Sequence, residues 1–254
     1  MIESGDKHIV YRQEGAVFII QINRPDKKNA LLQNMYKALA EGIHHADANK
    51  ETNAVLICGT QDCFTSGNDV NDFVAGQAPG TERPSVQFMK ALVNSRKPIV
   101  AAVNGLAIGI GTTMLLHCDL VYAADDAYLH LPFTRLGLCP EAGSSWLTPA
   151  LMGHQRASEL LLLGERFGAD KAQQYGLVNE VCPAEKVYDH AMEKAKALAA
   201  LPSEAVQTSK HLIKRSQTAQ IDETISLELV NFSRLLATPE SQAIMQSFLN
   251  KKKG

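Results

Sequence analysis

The chain has 254 residues, of which 45% are hydrophobic and 20% charged, a balance that excludes a disordered or collagen-like polymer and supplies enough apolar mass for a large folded core. A formal net charge of −2 argues against a broad basic surface, and so against nucleic acid as the main partner, although a small anionic ligand needs only a local basic patch. The five cysteines are odd in number and scattered, with no CxxC and no compact Cys/His cluster, so neither a disulfide framework nor a metal site is expected and a reducing compartment is the simpler reading.

The opening MIESGDKHIVYR lacks the apolar core of a secretory signal, and Lys251-Lys252-Lys253-Gly254 is not a peroxisomal tripeptide, which leaves the cytoplasm as the expected location. His8–Arg12 and Ala16–Ile22, separated by Glu14-Gly15, read as a β-hairpin. A helix is predicted from Ala30 to Ala48, with Leu31, Met35, Leu39 and Ile43 on one face. Ala54–Cys58 and Ile99–Val103 read as buried strands, with a helix over 85–95 between them. Pro98 fixes the entry to the second strand. A helix over 109–117 and a strand over 120–123 follow. The apolar stretch from Ile99 to Leu116 is broken by Asn104, glycines and threonines, so no membrane span is expected. After residue 140 the pattern turns helical, over 144–152, 157–163, 169–175 and 184–200. A tail from 201 adds helices over 206–216, 223–236 and 240–250, whose apolar side chains need cover from their own chain or from a neighbouring subunit. Alternating strands and helices predict an α/β core.

Two glycine-rich turns each follow a buried strand: Cys63-Phe64-Thr65-Ser66-Gly67-Asn68-Asp69-Val70 and Asn104-Gly105-Leu106-Ala107-Ile108-Gly109-Ile110-Gly111. Peptide N–H groups at such a turn lack intrahelical partners, and two that converge on one oxygen make an oxyanion hole. The second turn does not spell the GxGxxG of a dinucleotide site.

These turns, with Arg24-Pro25-Asp26-Lys27-Lys28-Asn29-Ala30-Leu31, Pro98–Gly105, Cys118-Asp119 and Tyr175-Gly176-Leu177-Val178-Asn179, resemble the crotonase (enoyl-CoA hydratase/isomerase) superfamily along nearly the whole chain. The resemblance implies an α/β spiral of ββα units over 1–200, with a helical C-terminal region over 201–254 that assembles a homotrimer or a hexamer. It also implies an acyl-CoA substrate with no separate cofactor and no metal. The Asn68 and Ile110 N–H groups would hold the thioester oxygen. Ser66, Asp69 and Val70 on the same turn would also contact the bound acyl-CoA, with Arg24, Lys27 and Lys28 near the CoA phosphates.

Hydratases of this family use two glutamates, at positions where this chain carries Thr113 and Pro132-Phe133. Neither side chain exchanges a proton as a carboxylate does. Glu141, in Gly137-Leu138-Cys139-Pro140-Glu141-Ala142-Gly143-Ser144-Ser145, matches the segment in which Δ3,Δ2-enoyl-CoA isomerases carry their single catalytic glutamate, and it equally suits the first turn of a helix. Phe73, Phe133, Leu136, Leu138 and Trp146 are the expected wall of an apolar pocket, and ordinary core packing is the other reading for each. The resemblance therefore implies an isomerase that shifts a 3-double bond to trans-2. The alternatives are hydratase, thioesterase or dehalogenase chemistry on the same scaffold, or a non-catalytic acyl-CoA-binding protein. His117, His130 and His154 are expected to be structural.

Overall fold

The computed structural model describes residues 3–70 and 82–251. β1 (Ile9–Glu14) and β2 (Val17–Ile22) form the expected antiparallel hairpin. β2 then pairs in parallel with β3 (Ala54–Cys58), and β5 (Ile99–Val103), β7 (Leu120–Ala124) and β10 (Glu180–Cys182) continue the sheet in the same sense. The order is β1-β2-β3-β5-β7-β10. Every residue of β3 and β5 is buried, which is why both read as unbroken apolar runs.

A second sheet holds β4 (Cys63–Thr65), β6 (Leu106–Ile108), β8 (Tyr128–His130) and β9 (Arg166–Gly168), in the order β4-β6-β8-β9. No strand was expected at these places. Three residues are too few to show a period, and only their partners define them. Each of β3, β5 and β7 is followed by a short strand of the second sheet, so the chain winds as a spiral of ββα units.

The helices depart from their predicted bounds where tertiary contacts intervene. α1 (Gln33–Ala48) starts three residues late because Leu31 donates its N–H to Gly67 O at 2.8 Å and bridges to Asn68. Its buried face, Met35, Tyr36, Leu39 and Ile43, packs on α2 (Pro84–Asn94), with the Tyr36 and Phe88 rings 5.8 Å apart. The helix predicted over 109–117 divides into α3 (Ile110–Thr113) and a 3-10 turn, Met114–His117. The tighter turn delivers the chain to β7, where Asp119 accepts the Ile99 N–H on its carboxylate at 2.7 Å and donates its own N–H to Ile99 O at 2.8 Å.

α4 (Ser144–Met152) lies where predicted. The helix expected over 157–163 is instead α5 (His154–Ser158), followed by a π turn, Glu159–Leu163. α6 (Ala169–Gln174) and α7 (Val187–Ala199) come next.

The tail forms α8 (Ser203–Lys214), α9 (Thr218–Leu236) and α10 (Pro239–Lys251), and it folds back on its own chain. Lys210 Nζ reaches Lys97 O at 2.7 Å and Asp119 at 2.8 Å. Ser241 Oγ donates to Leu136 O at 3.1 Å. Leu212, Ile213, Leu227 and Val230 stay more than half exposed on the outer side of α8 and α9. Among the described residues, no helix is long and apolar enough to cross a membrane.

The contact between the two sheet-end turns leaves no room for a side chain at Gly67. Its φ is 84°, and a Cβ there would stand 2.6 Å from Ile108 O. Gly67→Ala is expected to cost about 2–4 kcal/mol of stability, read as a lowered denaturant midpoint. An unchanged midpoint would show that the turns are not so tightly apposed.

Candidate active site

β4 and β6 run parallel, with Cys63 opposite Leu106 and Thr65 opposite Ala107, so the chain leaves both strands side by side. A Cβ on Gly111 would meet Thr65 Cγ2 at 2.6 Å, so this side of the contact also depends on glycine. Most N–H groups in the two turns are committed. Gly67 donates to Thr65 Oγ1 (3.1 Å), Asp69 to Leu31 O (3.0 Å), Gly109 to His130 O (2.8 Å) and Thr112 to Gly109 O (2.9 Å). The N–H groups of Asn68 and Ile110 have no acceptor among the described residues. Ile110 opens α3, where an N–H has no intrahelical partner. The Asn68 side chain is occupied elsewhere, accepting the Tyr36 hydroxyl at 2.5 Å on Oδ1.

From Ile110 the chain runs through α3 to His117, whose Nε2 lies 2.7 Å from Ala142 O. A carbonyl only accepts, so Nε2 carries the proton, and burial holds the imidazole neutral with its pKa pushed down to about 4. Ala142 itself is left-handed (φ 59°), followed by Gly143 (φ 73°). An alanine there costs on the order of 1 kcal/mol, so the turn needs its restraints. His117 is one. Ser144, whose N–H and hydroxyl reach Glu141 O at 3.1 and 2.6 Å, is another. Glu228 is the third.

Glu141 stands at the head of this turn. It is 6% exposed, and its Oε1 is buried without a hydrogen-bond partner among the described residues. Its pKa is pushed up to about 8, first because burial strips the carboxylate of water and second because the negative Glu228 is near. Glu141 and Glu228 are the only buried acids among the described residues. Thr113 and Phe133 are both buried and bring no carboxylate.

The other expected site residues divide into groups. Phe133 and Leu138 are buried, and Leu136 and half-buried Trp146 pack against the core, all on the loop before Glu141 or on α4 after it. Phe73 lies outside the described residues. Arg24 pairs with Asp69 at 2.8 Å and donates to Ala30 O at 2.9 Å, and both side chains are 12% exposed, so this pair fastens the loop to the turn. Lys27 and Lys28 are exposed. Ser66 donates its N–H to Lys28 O at 3.0 Å, and half-buried Val70 packs on the core. Ser145 Oγ is taken by Glu228, and His130 contacts Gly164 O.

Two features were not anticipated. Glu180, Cys182 and His190 bring their ligand-type atoms within 4.8 Å of one another, although their spacing resembled no metal motif. The hydrogen-bond contact of His190 Nε2 with Glu180 Oε2 at 3.0 Å accounts for two of the three. The second feature is Glu228. The signal for it was available: it occupies a place on the buried stripe Ile221, Ile225, Glu228, Phe232, Leu236, where a charge is out of pattern. Beside this stripe, a cavity of about 400 Å³ between α2 and α9 is lined by Val86, Lys90, Ile225 and Leu229 among others, and it does not include Glu141.

The family described as Enoyl-CoA hydratase/isomerase matches residues 12–254. Enoyl-CoA delta isomerase 2 of Rattus norvegicus is 32% identical over 252 residues, covering 97% of this chain. The chain spans 64% of that relative's length. The 2,3-dehydroadipyl-CoA hydratase of Escherichia coli K12 is also 32% identical, over 96% of each chain. The crystal structure of an enoyl-CoA hydratase/isomerase from Pseudoalteromonas atlantica superposes with a TM-score of 0.93 at 36% identity, covering 96% of this chain and 98% of that one. Isomerase and hydratase stand at equal identity, so likeness does not choose between the two reactions. It does establish the common scaffold: the chain belongs to the enoyl-CoA hydratase/isomerase, or crotonase, family.

Proposed function

We propose that this chain is a Δ3,Δ2-enoyl-CoA isomerase in which Glu141 alone carries the proton. The supporting observation is one buried carboxyl group with a bare oxygen, on a restrained turn tied through His117 to the helix that Ile110 opens. A 3-enoyl thioester has an acidic C2–H because the charge left behind spreads over a dienolate. Glu141 as carboxylate takes that proton. The electron pair moves to conjugate with the thioester carbonyl, and the negative charge on oxygen is held by the Asn68 and Ile110 N–H groups. Such donors stabilise the dienolate more than the ketone-like ground state, each by about 3 kcal/mol. Glu141, now a carboxylic acid, returns the proton at C4. The double bond reaches the 2-position and the enzyme is regenerated, with no separate cofactor.

Phe133, Leu136, Leu138 and Trp146 would keep water from the dienolate, while exposed Lys27 and Lys28 suit the CoA phosphates. The exposed apolar side chains of α8 and α9 would be covered in a homotrimer or hexamer.

The hydratase reading draws on the Escherichia coli relative. It requires a second free carboxylate to handle water. Neither Thr113 nor Phe133 supplies one, and both oxygens of Glu228 are occupied by hydrogen bonds.

Glu141→Gln is expected to slow bond migration in 3-enoyl-CoA by roughly 10²–10⁴-fold while CoA-ester binding survives. Full migration by the variant, or rapid 3-hydroxyacyl-CoA formation by the wild type, would overturn the reading. Because the base must be ionised, kcat/KM of the wild type should rise with pH through about 8 and then level off.

Stability should run the other way. The folded pKa of Glu141 lies above its ordinary value of 4.5, so the native state binds the extra proton between those pH values. Its contribution is complete below about 4.5 and is lost as pH rises through about 8. The melting temperature of Glu141→Gln relative to wild type should therefore climb between those limits, and a pH-independent difference would contradict the buried, unpaired carboxyl.

A further inference from the structure

Helix α4 begins without a cap of its own, since Gly143, at the capping position, has no side chain. The cap comes from α9. Glu228 Oε2 accepts the Gly143 N–H at 2.6 Å, across 85 residues of sequence, and Oε1 accepts the Ser145 N–H at 2.9 Å and the Ser145 hydroxyl at 2.6 Å. Glu228 is 6% exposed, and no ion pair reaches it among the described residues. The turn that it grips contains left-handed Ala142 and starts at Glu141, two residues before Gly143.

We propose that Glu228 is a positioning residue for Glu141, fastening the left-handed turn that aims the base and setting a fixed negative charge behind it. The inference rests on Glu141 being the proton carrier. Few groups among the described residues face the pair. Cys139 places its thiol 3.7 Å from Glu228 O, and neutral His117 approaches from the turn after α3. Lys214 Nζ is directed at His117 O and Lys210 at Asp119, while Arg234, further along α9, acts on Cys139. Two carboxyl groups in one dry region do not ionise with equal ease. Burial pushes the Glu228 carboxyl up as well, but its three donors work against that push, so it gives up its proton more readily than Glu141 does. Glu141, with one oxygen bare, resists losing its proton and is the stronger base once it does.

The test compares wild type, Glu228→Gln, Glu228→Asp and Ser145→Ala in the pH profile of kcat/KM for 3-enoyl-CoA. The same proteins are titrated by isotope-edited NMR of their glutamate carboxyl carbons, the Glu141 signal being assigned by its loss in Glu141→Gln. In Glu228→Gln the Glu141 midpoint should move down by roughly one pH unit, in the profile and in the titration alike. Ser145→Ala, which weakens the grip and leaves the glutamate in place, should move it the same way by less. Glu228→Asp keeps the charge and should keep the midpoint, with a lowered plateau rate. Should Glu228→Gln fail to fold, Ser145→Ala decides by the same sign.

Lower activity at every pH with an unmoved Glu141 midpoint would reduce Glu228 to a structural cap and overturn the proposal, while the isomerase reading stands. If Glu141→Gln keeps its activity, the isomerase reading fails instead, and the NMR midpoint still reports whether Glu228 acts on Glu141.

Discussion

A carboxyl group buried with one oxygen unpartnered and no cation beside it is costly to keep, and Glu141 is such a group among the described residues. Left to itself it would rotate toward water or draw in a donor. The surrounding structure restrains the backbone of its turn and leaves the carboxylate oxygen Oε1 alone. His117 holds the Ala142 carbonyl, Ser144 holds the Glu141 carbonyl, and Glu228 holds the N–H groups of Gly143 and Ser145. The turn is thus held through its backbone, and none of these restraints spends a hydrogen bond on Glu141 Oε1.

The same logic governs the two glycine turns. Parallel pairing of β4 with β6 presses the turns together, and the contact is so close that carbonyl and methyl groups occupy the space a Cβ would need. Neighbouring N–H groups are spent on local acceptors, and those of Asn68 and Ile110 have none among the described residues. The spiral of two sheets thus sets two free donors on the outgoing ends of adjacent short strands. The helix begun by one of them leads to the histidine that steadies the acid turn.

The C-terminal helices are part of this arrangement. α9 supplies the carboxylate that caps α4, and Ile221 and Ile225 from the same stripe close over Gly143. α8 anchors Lys210 on Asp119, the residue just before β7, and α10 fixes the loop before Glu141 through Ser241. Their outward apolar side chains take no part in this core. One region therefore completes the core of its own chain and leaves a separate apolar face exposed.

Much of this was legible in the residues. The hairpin, the buried runs at Ala54–Cys58 and Ile99–Val103, and the amphipathic α1 and α2 follow from period and composition, because burial on one or both faces writes itself into the order of side chains. The order of the motifs also pointed to the scaffold, and Glu141 stood out once Thr113 and Phe133 took the places of acids. The second sheet did not show itself, since three-residue strands have no period and exist only through their partners. Nor did the division of 109–117 or 157–163 into tighter and wider turns, which the strands that follow impose. The placement of Glu228 was decided only in three dimensions. A cap drawn from 85 residues away leaves no local pattern, because the donor and acceptor are brought together by packing and not by the chain between them.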